Sequence, residues 1–246
     1  MSGDAIDFKL HPDLDIERHA RAYAEQGRVH LKPFLADDCA ERLQAYLRDH
    51  PDWVLVVNQG AKLFELNREA QAAMTPERHA KLDAAVYAAA RGGFQYRYHS
   101  IRVPDGTAAR AADPTPLNRF AQFLMSPEVM AVLHRITGDA DIAFADAQAT
   151  AYGPSHFLTV HDDDVAGKNR RAAYVFNLSA AWRIDWGGLL LFHGPDGHVA
   201  EGYTPSFNAL NIFAVPQPHS VSFVNPIAPY RRFSITGWLR AEPPPA

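Results

Sequence analysis

The chain has 246 residues, 47% of them hydrophobic and 21% charged, a composition that is ordinary for a soluble globular protein with a sizeable core. A formal net charge of −4 gives no general attraction to nucleic acid or to an anionic membrane, and the single cysteine, Cys39, excludes an intrachain disulfide and a multi-cysteine metal site. Because the amino terminus lacks the apolar segment of a signal peptide and no apolar run could span a membrane, the sequence predicts a cytoplasmic protein.

The first half of the chain is predicted to be mainly helical. Helices are predicted at residues 19–26, 39–48, 76–91, 116–125 and 127–136. The clearest helix start is Thr75-Pro76-Glu77, which supplies an N-cap, a proline at the first helical position and an acidic first turn. Strands are predicted at 29–34, 53–57 and 94–103, and a loop rich in proline, alanine and aspartate at 104–114.

After Gly138 the pattern changes to short β-type runs separated by Gly, Pro, Asn and Asp. The predicted strands are 142–152, 157–161, 171–178, 188–192, 209–215, 220–224 and 232–239. Many short strands predict a sandwich or barrel. We therefore expect an α+β fold in a single domain, 1–246, in which a mostly helical region, 1–138, supports a β core at 139–240. The prolines at 243–245 predict a frayed tail.

A candidate metal site is centred on His161-x-Asp163. Side chains two positions apart in an extended segment share a face, so both groups can point at one ion. Two imidazoles and one carboxylate, with the other coordination positions open, are the ligand set of non-heme Fe(II) oxygenases. The flanking Asp162 and Asp164 are alternative ligands, and the acidic run is also compatible with a solvated surface turn.

Two further groups lie downstream. His219 follows a proline-rich turn and opens a strand, about four strands along the chain from His161, whereas His156, His193 and His198 are expected to be structural. Arg232, Ser234, Thr236 and Trp238 share one face of the last strand. A buried arginine requires an anion, and a carboxylate can pair bidentately with the guanidinium while Ser234 donates a second hydrogen bond. Arg231 is the competing arginine, and strand alternation favours Arg232.

In order and spacing, His161-x-Asp163, His219 and Arg232-x-Ser234 resemble the Fe(II)- and 2-oxoglutarate-dependent dioxygenases. Among these the chain looks most like the prolyl hydroxylases, nearest the branch that hydroxylates a ribosomal protein. The resemblance covers 140–239 well and the front of the chain more weakly, and its other matches are Tyr152, 186–192, 211–213 and 232–238. It implies a double-stranded β-helix (jelly roll) with a supporting layer of helices.

The resemblance also implies roles for particular residues. The implied iron ligands are His161, Asp163 and His219, and Arg232 would bind the distal carboxylate of 2-oxoglutarate. Its implied helpers are Ser234, Tyr152 and Asn177, the last at a position where relatives often carry a hydroxyl. Weaker candidates for substrate contact are Tyr96, Tyr98 and Trp238, and the segments 58–68 and 102–115 are expected to select the substrate.

The activity implied by the resemblance is hydroxylation of a prolyl residue in a protein or peptide. Fe(II) would be the bound cofactor, and 2-oxoglutarate and O2 would be consumed as cosubstrates. Ascorbate is a candidate reductant, and succinate and CO2 are the expected co-products. One alternative keeps this chemistry on a free amino acid or small natural product. Alternatives of another class are a non-catalytic jelly-roll metal-binding or sensor protein and a metal-free β-sandwich binding module.

Overall fold

The computed structural model describes residues 5–242, so the predicted tail at 243–245 lies outside the described residues. The helices are α1 (Ile16–Gln26), α2 (Cys39–Asp49), α3 (Arg68–Ala72), α4 (Pro76–Ala90), α5 (Thr107–Ala112), α6 (Pro116–Leu124) and α7 (Pro127–Thr137). Within the described part of the chain, none of the helices has the length and apolar character needed to cross a bilayer.

The strands begin in the front half and dominate the back half. They are β1 (Arg28–Leu31), β2 (Val54–Gln59), β3 (Lys62–Leu66), β4 (Tyr96–Arg102), β5 (Phe144–Ala145), β6 (Gln148–Tyr152), β7 (Phe157–His161), β8 (Arg170–Asn177), β9 (Leu190–His193), β10 (Val199–Tyr203), β11 (Ala209–Ala214), β12 (His219–Val221) and β13 (Arg232–Arg240).

One antiparallel sheet curls on itself around a cavity. The strand order is β1-β11-β8-β13-β6-β4-β7-β12-β9-β10, with β2 and β3 beyond β4 and with β5 beside β13. Strand β4 pairs with both β6 and β7, so the sheet bends there and brings β7 and β12 opposite β8 and β13. Helices cover the outer face. The predicted fold class, a double-stranded β-helix with a helical layer, is confirmed.

Strand β13 shows why the two faces differ. Phe233, Ile235 and Leu239 point outward into the core that the helices share, where Phe120 stacks on Phe176 with ring centres 5.1 Å apart. The alternate residues, from Arg232 to Trp238, point inward and line the cavity. The predicted alternation therefore places an apolar row against the helices and a polar row in the barrel.

Strands from the predicted helical region also join the sheet. Strand β1 pairs with β11, and β4 pairs with β6 and β7, so both parts of the chain contribute to one hydrogen-bonded network. The single-domain organisation stays a prediction.

The predicted loop at 104–114 is wrong in part, because it contains helix α5. Arg110 of this helix is fully buried and donates hydrogen bonds to the carbonyl groups of Pro104, Ala121 and Ala145. These tertiary contacts stabilise a short helix that has no capping signal of its own. Strands β3 and β10 and helix α3 were also not predicted, and the predicted strand 142–152 breaks at Asp146 into β5 and β6.

Gly187 and Gly188 pack closely against neighbouring residues, and Gly187 gives a prediction on stability. Gly187 has φ +68, and a Cβ there would lie 2.0 Å from the Phe223 carbonyl oxygen. We expect Gly187→Ala to lower the free energy of unfolding by more than about 3 kcal/mol, because a backbone clash adds to left-handed strain. Gly60 also has positive φ, +59, but open space around it, so Gly60→Ala should cost only about 1–2 kcal/mol. Urea denaturation of both variants measures the difference, and equal losses would contradict this reading.

Candidate functional site

The cavity between the two faces of the sheet has a volume of about 440 Å³. Nine of the ten residues predicted for the site line it: His161, Asp163, His219, Arg232, Ser234, Tyr152, Tyr96, Tyr98 and Trp238. The structure therefore brings groups from five separate strands, β4, β6, β7, β12 and β13, and one turn to a single space.

Two histidines and one aspartate converge at one wall of the cavity. His161 ends β7 and His219 begins β12, and strand pairing sets them directly opposite one another with ring centres 4.1 Å apart. The Asp163 carboxylate reaches both: Oδ1 lies 3.6 Å from His161 Nε2 and Oδ2 lies 3.4 Å from His219 Nε2. Within residues 5–242 this is the one group of three or more His, Cys, Asp or Glu side chains arranged to hold a metal ion.

The protonation of these groups suits a cation. The Nδ1 of His161 lies 3.0 Å from the Thr159 carbonyl, and that of His219 lies 2.8 Å from the Gln217 carbonyl. A carbonyl only accepts, so each Nδ1 carries a hydrogen, and in a neutral ring Nε2 then holds the lone pair that a metal ion needs. Burial, together with neighbouring His219, lowers the pKa of His161 to about 4, which keeps the imidazole neutral at pH 7. Burial acts to raise the pKa of Asp163, but its contacts with His219 and His161 leave that pKa below the ordinary value, so the group is a carboxylate at pH 7.

Asp163 arrives by a different route from the one predicted. It lies beyond the end of β7 with φ +64, a left-handed conformation, so it is not in strand alternation with His161. The left-handed turn, and not the alternation of side chains along β7, directs the Asp163 carboxylate toward the histidines. Asp162 and Asp164 are exposed at the rim, where the Asp164 N–H donates to the Asp162 carboxylate over 3.1 Å.

Arg232 presents unpaired donors inside the cavity. The side chain is almost wholly buried, and its Nε and Nη1 have no hydrogen-bond partner among the described residues. Burial lowers its pKa to about 10, so it still carries its charge at pH 7. Its guanidinium lies over the Tyr152 ring, with Cζ 5.2 Å from the ring centre. Arg231 is exposed, as strand alternation predicts.

Hydroxyl groups surround this cation. The Ser234 and Thr150 hydroxyls lie 2.9 Å apart on paired strands. Burial raises the pKa of Tyr98 to about 12 and that of Tyr152 further, so both phenols remain protonated donors. A buried cation with free donors and neighbouring hydroxyls is complementary to a carboxylate.

An aromatic wall leads from the cavity mouth toward Arg232. Phe94 at the mouth is 47% exposed, and the ring centres of Phe94, Tyr96 and Tyr98 follow one another at 5.6 Å. Tyr98 then stacks on Tyr152 at 5.2 Å. The wall gives an entering substrate an apolar surface with polar edges.

Some predicted residues are not at the site. Asn177 does not line the cavity: it is buried, and its amide donates to the carbonyl groups of Val175 and Ala209, so its assignment to the cosubstrate is corrected. Asn177 lies on the same face of β8 as Ala173 and Val175, which line the cavity, but the cavity does not extend as far as Asn177. No residue of 58–68 or 102–115 lines the cavity either, since β3 and α5 organise these segments. His156, His193 and His198 are likewise absent from the lining.

Arg170 is a cavity residue that the sequence did not reveal. The predicted strand begins at Arg171. Because Ala173 and Val175 line the cavity, the two-residue period of a strand would place Arg171, and not Arg170, in the interior. The pairing of β8 with β13 shifts register between Leu239 and Arg240, and this irregularity turns Arg170 inward. A register shift of this kind leaves no local sequence signal.

Two buried histidines, His99 on β4 and His156 just before β7, predict that the folded protein is less stable in acid. Burial lowers the pKa of His99 to about 3, with His156, Arg231 and Arg97 adding to the effect, and burial lowers that of His156 to about 4. The unfolded chain binds protons on these groups below an ordinary pKa near 6.5 while the folded protein does not, so stability falls as the pH drops from about 6.5 toward 4. Between pH 7 and 5, His99 alone should account for about 2 kcal/mol.

Urea denaturation across this pH range measures the effect. His99→Gln should reduce the dependence of the unfolding free energy on pH by about that amount, whereas His198→Gln, at an exposed histidine, should leave it unchanged. An identical pH dependence in wild type and His99→Gln would show that His99 does not contribute.

Comparisons with known proteins bear on this site. The model of the 2OG-Fe(II) oxygenase superfamily matches residues 147–240. Over 123 residues, 47% of the chain, the sequence is 30% identical to prolyl 3-hydroxylase OGFOD1 of Mus musculus, and the match spans 22% of that relative's length. The chain thus corresponds to a minor part of the relative.

Solved structures share the fold across most of the chain. A prolyl-4-hydroxylase from Pseudomonas putida superposes with a TM-score of 0.60 at 17% identity, covering 92% of this chain and 98% of that one. A prolyl hydroxylase from Trichoplax adhaerens, in complex with a hypoxia inducible factor oxygen degradation domain peptide fragment, gives 0.59 at 16% identity, with coverages of 92% and 90%. At such identities the likeness establishes the fold.

Proposed function

We propose that this chain is an Fe(II)- and 2-oxoglutarate-dependent hydroxylase of a prolyl residue in a protein or peptide, because residues 147–240 match the 2OG-Fe(II) oxygenase superfamily and the fold resembles that of prolyl hydroxylases. One observation carries the proposal. A three-ligand metal site and an unpaired buried guanidinium line the same cavity, one suited to a cation and the other to a carboxylate.

The residues present fit both groups. His161, Asp163 and His219 would hold Fe(II), because two imidazole nitrogens and one carboxylate converge on one space. Arg232 would bind the distal carboxylate of 2-oxoglutarate through its free Nε and Nη1, and Ser234 and Tyr152 can donate further hydrogen bonds. When bound, Fe(II) with 2-oxoglutarate and O2 supplies the oxidation that turns a C–H bond into C–OH, with succinate and CO2 as co-products.

The chain's own contribution is placement. The neutral state of His161 keeps its Nε2 available at pH 7, and the hydrogen bonds to Thr159 and Gln217 fix both rings. Arg232 fixes one end of the keto acid and so determines which end faces the metal ligands. Tyr96, Tyr98 and Trp238 line the remaining space, and we assign them to the substrate because a proline ring packs well on aromatic faces.

The test is turnover with a defined metal and cosubstrate. Purified protein, stripped of metal and supplied with Fe(II), 2-oxoglutarate and air, should form succinate, with and without ascorbate to test the expected reductant. Proline-containing peptides should then gain the mass of one oxygen atom. Oxygen added to free amino acids and not to peptides would favour the small-molecule alternative. No succinate, with metal binding verified, would reject the oxygenase and leave a metal-binding or sensor protein.

A further inference from the structure

Asp163 is held in place by a neighbour that the proposed chemistry does not use. Its φ of +64 is a conformation that non-glycine residues adopt at a cost of about 1–2 kcal/mol, so the surrounding structure must stabilise it. Arg170 does this directly: its Nη1 donates to the Asp163 carbonyl oxygen over 2.8 Å. The same nitrogen lies 3.7 Å from the Asp163 carboxylate oxygen Oδ1, so one guanidinium contacts both the backbone and the charge of this residue.

The guanidinium is itself fixed by stacking. Arg170 Cζ lies 3.5 Å from the centre of the Trp238 ring, on the inward row of β13 that also carries Arg232. Arg170 therefore bridges two parts of the site: the turn that carries Asp163 and the strand that carries the anion-binding arginine. Only 14% of its side chain is exposed, which leaves it little freedom to move away.

The segment 162–169, which includes this turn, has a second set of stabilising contacts that does not involve Asp163. Arg240 Nε donates to the Lys168 carbonyl over 2.9 Å, and the Ala241 N–H donates to the Asn169 carbonyl over 2.9 Å. These contacts anchor the far end of the 162–169 segment to the end of β13. At the near end, a 3.4 Å hydrogen bond from the Gln217 N–H to the Asp162 carbonyl fixes the preceding residue, and Arg170 contacts Asp163 itself.

We infer that Arg170 is a positioning residue for the metal site: it holds Asp163 in the left-handed conformation that aims its carboxylate at His161 and His219. This inference rests on the proposed metal-binding role of Asp163. Without Arg170 the carboxylate keeps its chemistry but loses its fixed direction, so the metal binds less tightly. Changes at residues that only contact a metal ligand typically weaken metal binding about 10–100-fold.

The experiment measures metal binding without turnover. Mn(II) is titrated into metal-free wild type, Arg170→Gln and Arg171→Gln in the absence of 2-oxoglutarate, and free Mn(II) is followed by electron paramagnetic resonance. Arg171 is the matched control, because it is the adjacent residue on β8 and pairs with Asp139 and Asp141 away from the cavity. Arg170→Gln should raise the dissociation constant about 10–100-fold, and Arg171→Gln should leave it within about twofold.

A second measurement separates positioning from a general loss of structure. With Co(II) bound at saturation, the visible d–d absorption of Arg170→Gln should differ from that of wild type, because the carboxylate coordinates differently, while the melting temperature of the metal-free protein stays similar. If Arg170→Gln does not fold, Arg170→Lys replaces it: lysine keeps the charge but cannot stack flat on Trp238 and bond to the Asp163 carbonyl together. Binding as tight as wild type in the folded variant overturns the inference. Absence of metal binding in wild type would instead reject the proposed function.

Discussion

Replacing His161 or Asp163 with alanine is expected to abolish metal-dependent turnover while the fold persists. Each change removes one of the three groups that converge on the proposed cation. Because residues that merely touch a ligand already contribute about 10–100-fold to metal affinity, losing a ligand should weaken Mn(II) binding by more than about 100-fold. The fold should tolerate the change, since both side chains border the cavity rather than the helical core. Mn(II) titration, succinate formation and the melting temperature of the metal-free protein measure the three effects.

The matched controls are Asp162→Ala and Asp164→Ala. These carboxylates flank Asp163 in the sequence but are exposed at the rim of the cavity. Both variants should bind Mn(II) within about twofold of wild type, because exposed carboxylates that do not face the ion contribute only screened electrostatic attraction. If Asp162→Ala or Asp164→Ala abolished binding and Asp163→Ala did not, the ligand assignment would be incorrect.

The second large effect is expected at Arg232. Arg232→Ala should raise the apparent binding constant for 2-oxoglutarate by about one to two decades, because a hydrogen bond to a charged group contributes roughly 1.5–3 kcal/mol. Mn(II) binding in the absence of 2-oxoglutarate should stay near that of wild type, since Nε and Nη1 of Arg232 make no hydrogen bond to any described residue, the metal-site residues included. Calorimetric titration of 2-oxoglutarate into the Mn(II)-loaded protein measures the change.

Arg231→Ala is the natural control for Arg232→Ala. Arg231 is the preceding residue of the chain and is exposed, so its removal deletes the same functional group outside the cavity. It should leave the binding constant for 2-oxoglutarate within about twofold. Weakened binding in Arg231→Ala, together with normal binding in Arg232→Ala, would mean that the wrong arginine has been assigned to the carboxylate.

Properties that depend on neighbouring residues were accessible from the sequence. The inward row of β13, from Arg232 to Trp238, follows from the two-residue period of a strand, and the start of α4 follows from Thr75-Pro76. The change from helical to β-type patterns at Gly138 predicts an α+β fold with a sandwich or barrel, whereas the double-stranded β-helix is what the family resemblance implies.

Long-range geometry was not accessible in the same way. The approach of His161 to His219 depends on the pairing of β7 with β12, for which the sequence offers only the resemblance to a family. Asp163 was chosen by strand alternation, but a left-handed turn is what brings it to the histidines. Arg170 is not predicted because a register shift reverses which side chains of β8 point inward at its start. Asn177 is misassigned because the alternation of side chains along a strand does not show where a cavity ends.

The unpaired guanidinium of Arg232 would make the stability of the folded protein depend on the anion proposed to bind it. A buried charge without a counterion destabilises the folded chain, and a diacid that neutralises it shifts the folding equilibrium, by about 2.7 kcal/mol at a concentration one hundred times its dissociation constant. Proteases remove the unfolded fraction continuously, so a stabilisation of that size changes steady-state abundance several-fold. If 2-oxoglutarate is that diacid, as proposed above, its depletion in a cell would therefore lower the amount of this protein.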